Sequence, residues 1–175
     1  MLLRPLRAVL LSLLVSGCIS GPRDFRLVSV QLMEFSDQPP PLRFQLLIEF
    51  TTKVDLLQRS SSYVLGARAY FCDRPTDNAI LSGVRIYFPG QPVSGDVRLP
   101  NPGLSGAFTY ATYVGVARQA VTPSIPPEVS YDLRIRPEDI CFYVAGGNAT
   151  PFGFKSNIVR VPKDAIFAAL SVPPK

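Results

Sequence analysis

The sequence predicts an all-β fold, a single antiparallel β-sandwich, immunoglobulin-like or related, spanning residues 25–172. Three observations predict it. Short runs of alternating, β-branched or aromatic residues recur along the chain. Proline and glycine, 18 and 12 of 175 residues, fill the spaces between them. No long stretch places apolar residues at helical spacing, which leaves a two-layer β architecture as the way to bury a core.

Taken in order, Phe25 to Phe35 reads as a first strand with Val28, Val30 and Leu32 on one side. Pro39-Pro40-Pro41 is a stiff turn that no helix crosses. Leu42, Phe44, Leu46, Ile48 and Phe50 then alternate with Arg43, Gln45, Glu49 and Thr51, the mark of a half-buried strand; only Leu47 spoils the polar face. Asp55 to Ser62 is a polar connection with room for one helical turn. Tyr63 to Cys72 is a strand with Leu65, Ala67, Ala69 and Phe71 sharing a face. Val84 to Phe88 is a short strand, and Pro89 to Gly106 holds at most a brief one at Val93 to Leu99. Ala107 to Val116 is aromatic and β-branched, again a strand. Val129, Tyr131, Leu133 and Ile135 alternate with polar neighbours and predict another. Ile140 to Val144 and Lys155 to Val161 are the last strands, and Lys163 to Leu170 suits a two-turn helix. No repeat of fixed period is present.

Ahead of this domain stand Arg4 and Arg7, an apolar run from Ala8 to Val15, and Val15-Ser16-Gly17-Cys18. A basic start, a short hydrophobic stretch and small residues before a cleavage point form a secretory leader, too short to span a bilayer. The four residues resemble the lipobox of bacterial lipoproteins. That resemblance implies removal of residues 1–17, diacylglycerol on the Cys18 sulfur, and a lipidated tether over residues 18–24. An ordinary leader with an incidental cysteine is the alternative. Ile19 stands where aspartate would resemble an inner-membrane retention signal. The expected location is therefore the outer membrane, anchored by lipid and facing the periplasm, with surface exposure left open.

The formal net charge of +5 falls to +3 once Arg4 and Arg7 leave with the leader. A balance that mild supports neither nucleic-acid binding nor a polybasic membrane arm. Arginines outnumber lysines among the 18 basic residues, which favours fixed pairing with carboxylates. With Cys18 assigned to lipid, Cys72 and Cys141 remain as an even pair in an oxidising compartment, so a disulfide is expected. Closing a loop of about 70 residues is worth about 4 kcal/mol in the chain-entropy account. Both cysteines have outward parity, so the bridge would join neighbouring strands or a strand and its covering loop; the alternative is two buried thiols that never meet.

The chain has no histidine, which removes Ser-His-Asp and Cys-His catalysis and the commonest zinc ligand. No enzyme activity and no cofactor are expected. Glu138 and Asp139, adjacent in a turn, would point different ways and do not suit a glycosidase pair. Asp73 and Asp77 are too few for calcium. The loop Gly146 to Phe154 is the most partner-like segment. There Phe152 and Phe154 flank Gly153, either as apolar anchors for another protein or folded back to plug the sandwich. Its glycines do not precede a helix, so no phosphate cradle is implied. Asn148-Ala149-Thr150 matches a glycosylation acceptor, against which Pro151 and the bacterial leader argue. Arg134 and Arg136, with Arg160, could form a positive stripe facing an acidic partner or lipid head groups, or a solvated face balanced by Asp132.

The C-terminal stretch Asp139-Ile140-Cys141-Phe142-Tyr143-Val144-Ala145-Gly146-Gly147, continued by Lys155-Ser156-Asn157-Ile158-Val159-Arg160-Val161-Pro162-Lys163-Asp164, resembles the ends of small periplasmic immunity lipoproteins associated with type VI secretion. The resemblance is short and carries no catalytic motif. It implies a protein that neutralises an incoming toxin by binding it, and it assigns no functional residue. A structural or accessory lipoprotein of an envelope or secretion assembly is the competing expectation.

Overall fold

A computed structural model of the chain describes residues 21–60, 64–74, 81–88, 91–92, 106–118, 130–147 and 154–174. Cys18, Asp77, Phe152, the Asn148 acceptor and the stretch Val93 to Leu99 lie outside them. The described chain forms an antiparallel β-sandwich.

The first sheet contains β1 (Arg26–Glu34), β2 (Phe44–Thr52), β5 (Ile86–Phe88), β6 (Gln91–Pro92) and β7 (Phe108–Gly115), in the order β1-β2-β7-β5-β6. The second contains β3 (Val64–Phe71), β4 (Leu81–Val84), β10 (Ile140–Gly147), β11 (Phe154–Lys155) and β12 (Val159–Val161). Here β10 pairs with β3 on one side and with β11 and β12 on the other, and β4 lies beyond β3. A small ribbon, β8 (Ala117–Arg118) with β9 (Tyr131–Asp132), closes one end.

Period two does what the sequence leads one to expect in β2 and β10, and β7 alternates in the same way. Leu46, Ile48 and Phe50, Tyr110 and Val114, and Ile140, Phe142 and Val144 all turn inward and are buried. The layers meet where the rings of Phe50 and Phe142 lie 5.4 Å apart. Polar groups inside this core are matched. Tyr110 Oη accepts the Leu56 N–H (2.8 Å), and the Thr112 hydroxyl donates to the Arg85 carbonyl (2.9 Å). Burial pushes the Tyr110 phenol up to about 12.

Three helices are short. α1 (Pro40–Arg43) starts within the proline run, since proline at the first helical positions sacrifices no hydrogen bond. α2 (Leu56–Ser60) is capped by Asp55, whose carboxylate accepts the Leu57 N–H (3.0 Å). α3 (Lys163–Leu170) buries Ile166 and Ala169 beside β1.

Several elements depart from expectation, mostly through single residues. The run Val84 to Phe88 is two strands in different sheets, with Arg85 as the corner. A bulge between Leu27 and Ser29 turns Val28 outward, leaving it 54% exposed while Val30 and Leu32 keep to the core side. Leu42 sits in α1 and is exposed rather than inward. Lys155 to Val161 is broken by one extra residue opposite β10, so Ser156 to Ile158 leave the ladder. The Ser156 hydroxyl takes over, accepting the Val144 N–H (2.9 Å). Gly146 and Gly147 end β10 and are not loop.

That break receives the start of the domain. The Phe25 N–H donates to Asn157 Oδ1 and Asn157 Nδ2 donates to the Phe25 carbonyl, each at 3.0 Å. The Asn157 N–H donates to the Pro22 carbonyl (3.2 Å). On the other side Asp24 accepts from the Thr52 hydroxyl (3.1 Å) and the Lys53 N–H. Residues 21–25 thus form a strap across one pole, tied to both sheets. Gly21 presses so closely on Lys155 that a Cβ there would overlap its carbonyl oxygen. Phe25 drops inward from the strap and stacks on Phe50, ring centroids 5.8 Å apart.

Candidate functional site

The pole opposite the strap holds the disulfide. Cys72 and Cys141 are bridged with Cα atoms 4.9 Å apart, between β10 and the residue after β3, as their parity allows. The Cys72 N–H donates to the Asp139 carbonyl (3.0 Å). Around the bridge lies a charged cavity of about 690 Å³, lined among others by Asp73, Arg136, Glu138, Asp139, Arg160 and Lys163.

The two adjacent carboxylates point different ways, each with a structural task. Glu138 meets Arg74 at 2.8 Å and Arg136 at 3.4 Å, and the Arg74 guanidinium lies 4.5 Å above the Phe71 ring. Asp139 accepts the Lys163 N–H (2.6 Å) and pairs with Arg160. Pro162, at the N-cap of α3, makes no side-chain cap bond. Asp139, just before β10, supplies that cap from a distant part of the chain. The Lys163 N–H first, then Arg160, holds its carboxyl below the usual value. Both carboxylates are thus engaged by groups of the protein itself. Among the described residues no group of three or more His, Cys, Asp or Glu is placed to hold a metal ion. Asp73 instead lies 3.8 Å from Arg74.

Of the strand that alternation predicts from Val129 to Ile135, Val129 lies outside the described residues, and only Tyr131–Asp132 is strand. After Asp132 the chain turns, with the Ile135 and Arg136 N–H groups both donating to the Asp132 carbonyl (3.1 and 2.9 Å). The Asp132 carboxylate accepts from the Arg134 N–H and from its guanidinium (2.9, 2.9 and 2.7 Å). The Arg134 side chain is the main reason the Asp132 carboxyl titrates below its usual value. Leu133 goes into the core, while Ile135 projects outward, 83% exposed. Alternation of four residues suits a tight turn as well as a strand, and the Asx-type bonding of Asp132 decides between them.

The predicted binding residues therefore divide. Arg134 and Arg136 lie on this turn, not on the face of a strand; Arg134 is bound to Asp132, and the Arg136 side chain is 80% exposed. Arg136 and Arg160 line the same cavity. Phe154 is not an outward anchor. It is buried to 7% exposure, 6.3 Å from the Phe25 ring with the Arg59 guanidinium 5.5 Å above it, so it plugs the strap end. Ile135 was missed because alternation assigned it to the core.

A second surface also escaped sequence reading. On the outer face of the first sheet the Tyr113 ring meets Phe35 at 5.5 Å and Tyr87 at 5.0 Å, both edge-on. Leu47, the residue that breaks the polar face of β2, lies beside Tyr113 in register. It continues this aromatic patch. The comparisons place no known protein beside this one: no family model, no curated protein and no solved structure matches the chain. The site rests on its own geometry.

Proposed function

We propose that the protein is a lipid-anchored, periplasm-facing binding protein that neutralises an incoming effector by contact through the disulfide pole. One observation carries this reading: Ile135 stands 83% exposed on a turn fixed by Asp132, between Arg134 and Arg136. A branched aliphatic held out on a turn beside a largely exposed arginine is the composition of an interface anchor and its polar rim. The lipobox resemblance at Cys18 supports the anchorage, and the C-terminal likeness supports the immunity role.

The test uses cells that meet toxin-delivering kin. Deleting the gene sensitises them, and wild-type protein restores survival. The Ile135→Asp protein, accumulating to the same level, does not. Unchanged survival of the deletion strain overturns the reading. Cys18→Ser would abolish incorporation of labelled palmitate and release the protein from the envelope fraction.

The aromatic patch of Phe35, Tyr87 and Tyr113 favours a second reading, an accessory lipoprotein packed by its sheet face into a larger envelope assembly. Co-purification with large membrane complexes that is lost in Tyr113→Arg, and kept in Ile135→Asp, would select it.

A further inference from the structure

We infer that the strap pole is a membrane-docking face that sits on anionic phospholipid head groups, an inference that rests on the lipid attachment proposed above. Arg23, Arg26, Lys53, Arg59 and Lys155 come from distant parts of the sequence, and all are exposed. The fold gathers them at this pole. Arg23 lies in the strap, and Arg26 follows it and pairs with Thr51 across to β2. The Lys53 backbone is bonded to Asp24. Arg59 lies over Phe154, and Lys155 lies against Gly21. Among the described residues none of these cations is in an ion pair, whereas the pairs of Arg43, Arg74, Arg134, Arg136 and Arg160 lie toward the other pole. Arg59 and Lys155 lean on the rings of Phe154 and Tyr143 (5.5 and 4.2 Å). Ring faces can hold such side chains without neutralising them. The acids of this pole are turned to other work, Asp24 bonding Thr52 and Lys53 and Asp55 capping α2.

Chain length decides what meets this charge. Three Cα steps separate Cys18 from Gly21, about 11 Å at full extension. That is close to the screening length of about 8–10 Å at physiological salt. A lipid on Cys18 therefore holds the pole within reach of the head groups, and basic residues so placed are drawn to anionic lipid. Arg134 and Arg136, the arginines that sequence reading offered to head groups, lie at the far pole.

The test takes the lipidated protein into vesicles of phosphatidylcholine alone and of phosphatidylcholine mixed with phosphatidylglycerol. Amide hydrogen exchange is followed at residues 21–26, 53–59 and 155–157, and the mass of the N-terminal peptide is measured. Slower exchange in the phosphatidylglycerol vesicles only is expected. Raising salt to about 1 M, where screening shortens to about 3 Å, should remove it. Lys53→Glu with Lys155→Glu should weaken the contact about fivefold or more per residue, with an unchanged unfolding midpoint showing that the variant is folded. An acylated protein that exchanges identically in both vesicles overturns the docking and leaves the anchor standing. An N-terminal peptide without acyl mass overturns both.

Discussion

Arg74, Arg134 and Arg160 at the disulfide pole each face a carboxylate of the protein, while Arg23, Lys53 and Lys155 at the strap pole are exposed. The same residue types do different work because of what surrounds them. At the disulfide pole Glu138 and Asp139 stand between Cys141 and the chain turn and draw arginines from β12 and from beyond β3. At the strap pole the carboxylates of Asp24 and Asp55 accept from backbone N–H groups, and the nearby cations are not paired with them. One end uses charge to hold its own shape; the other leaves it exposed.

The contrast can be tested most strongly at the disulfide. Cys72→Ser with Cys141→Ser should cost about 4 kcal/mol, since the bridge closes a loop spanning 69 residues of sequence separation; urea unfolding measures it. Phe25→Ala should cost about 3 kcal/mol by the same measurement, because it empties the space between Phe50 and Phe154. A much smaller loss would mean that the strap is decoration on a sandwich stable without it. Asp139→Ala should cost about 1 kcal/mol through the lost cap of α3. The Asp139 and Asp132 carboxyls have folded values below their ordinary 3.8. Their stabilisation is thus complete above that pH and fades as pH falls through the folded values. Asp139→Ala should accordingly flatten the acid limb of the stability curve. Smallest of all, Lys53→Glu with Lys155→Glu should shift stability by under about 0.5 kcal/mol in the absence of lipid. A large loss there would show that the strap-pole cations are structural after all.

Much of the sandwich was legible. The alternation of Leu46, Ile48 and Phe50 and of Ile140, Phe142 and Val144 leaves one way to bury them, and the parity of Cys72 and Cys141 left the bridge to neighbouring strands or to a strand and its loop. What was not legible turns on single residues. Val28 and Asn157 sit at bulges, and one extra residue leaves composition unchanged while reversing every following side chain. Ile135 continues an alternation whose geometry Asp132 overrides. Phe154 was left open between anchor and plug because the position of Phe25 decides it, and Phe25 is more than a hundred residues away in the chain. The strap-pole cations could not be grouped from sequence at all. They become neighbours only once β2, α2 and β11 meet the strap.

The strap has a mechanical consequence. Any pull transmitted through the start of the chain reaches Gly21 first. It is then shared between Asn157, in the break beside β11, and Thr52 of β2, which holds the Asp24 carboxylate. Bonds loaded side by side on two layers resist together, so tension does not unzip β1 from its end. Tension at the start of the chain would be borne at that point, at the pole away from the turn that carries Ile135.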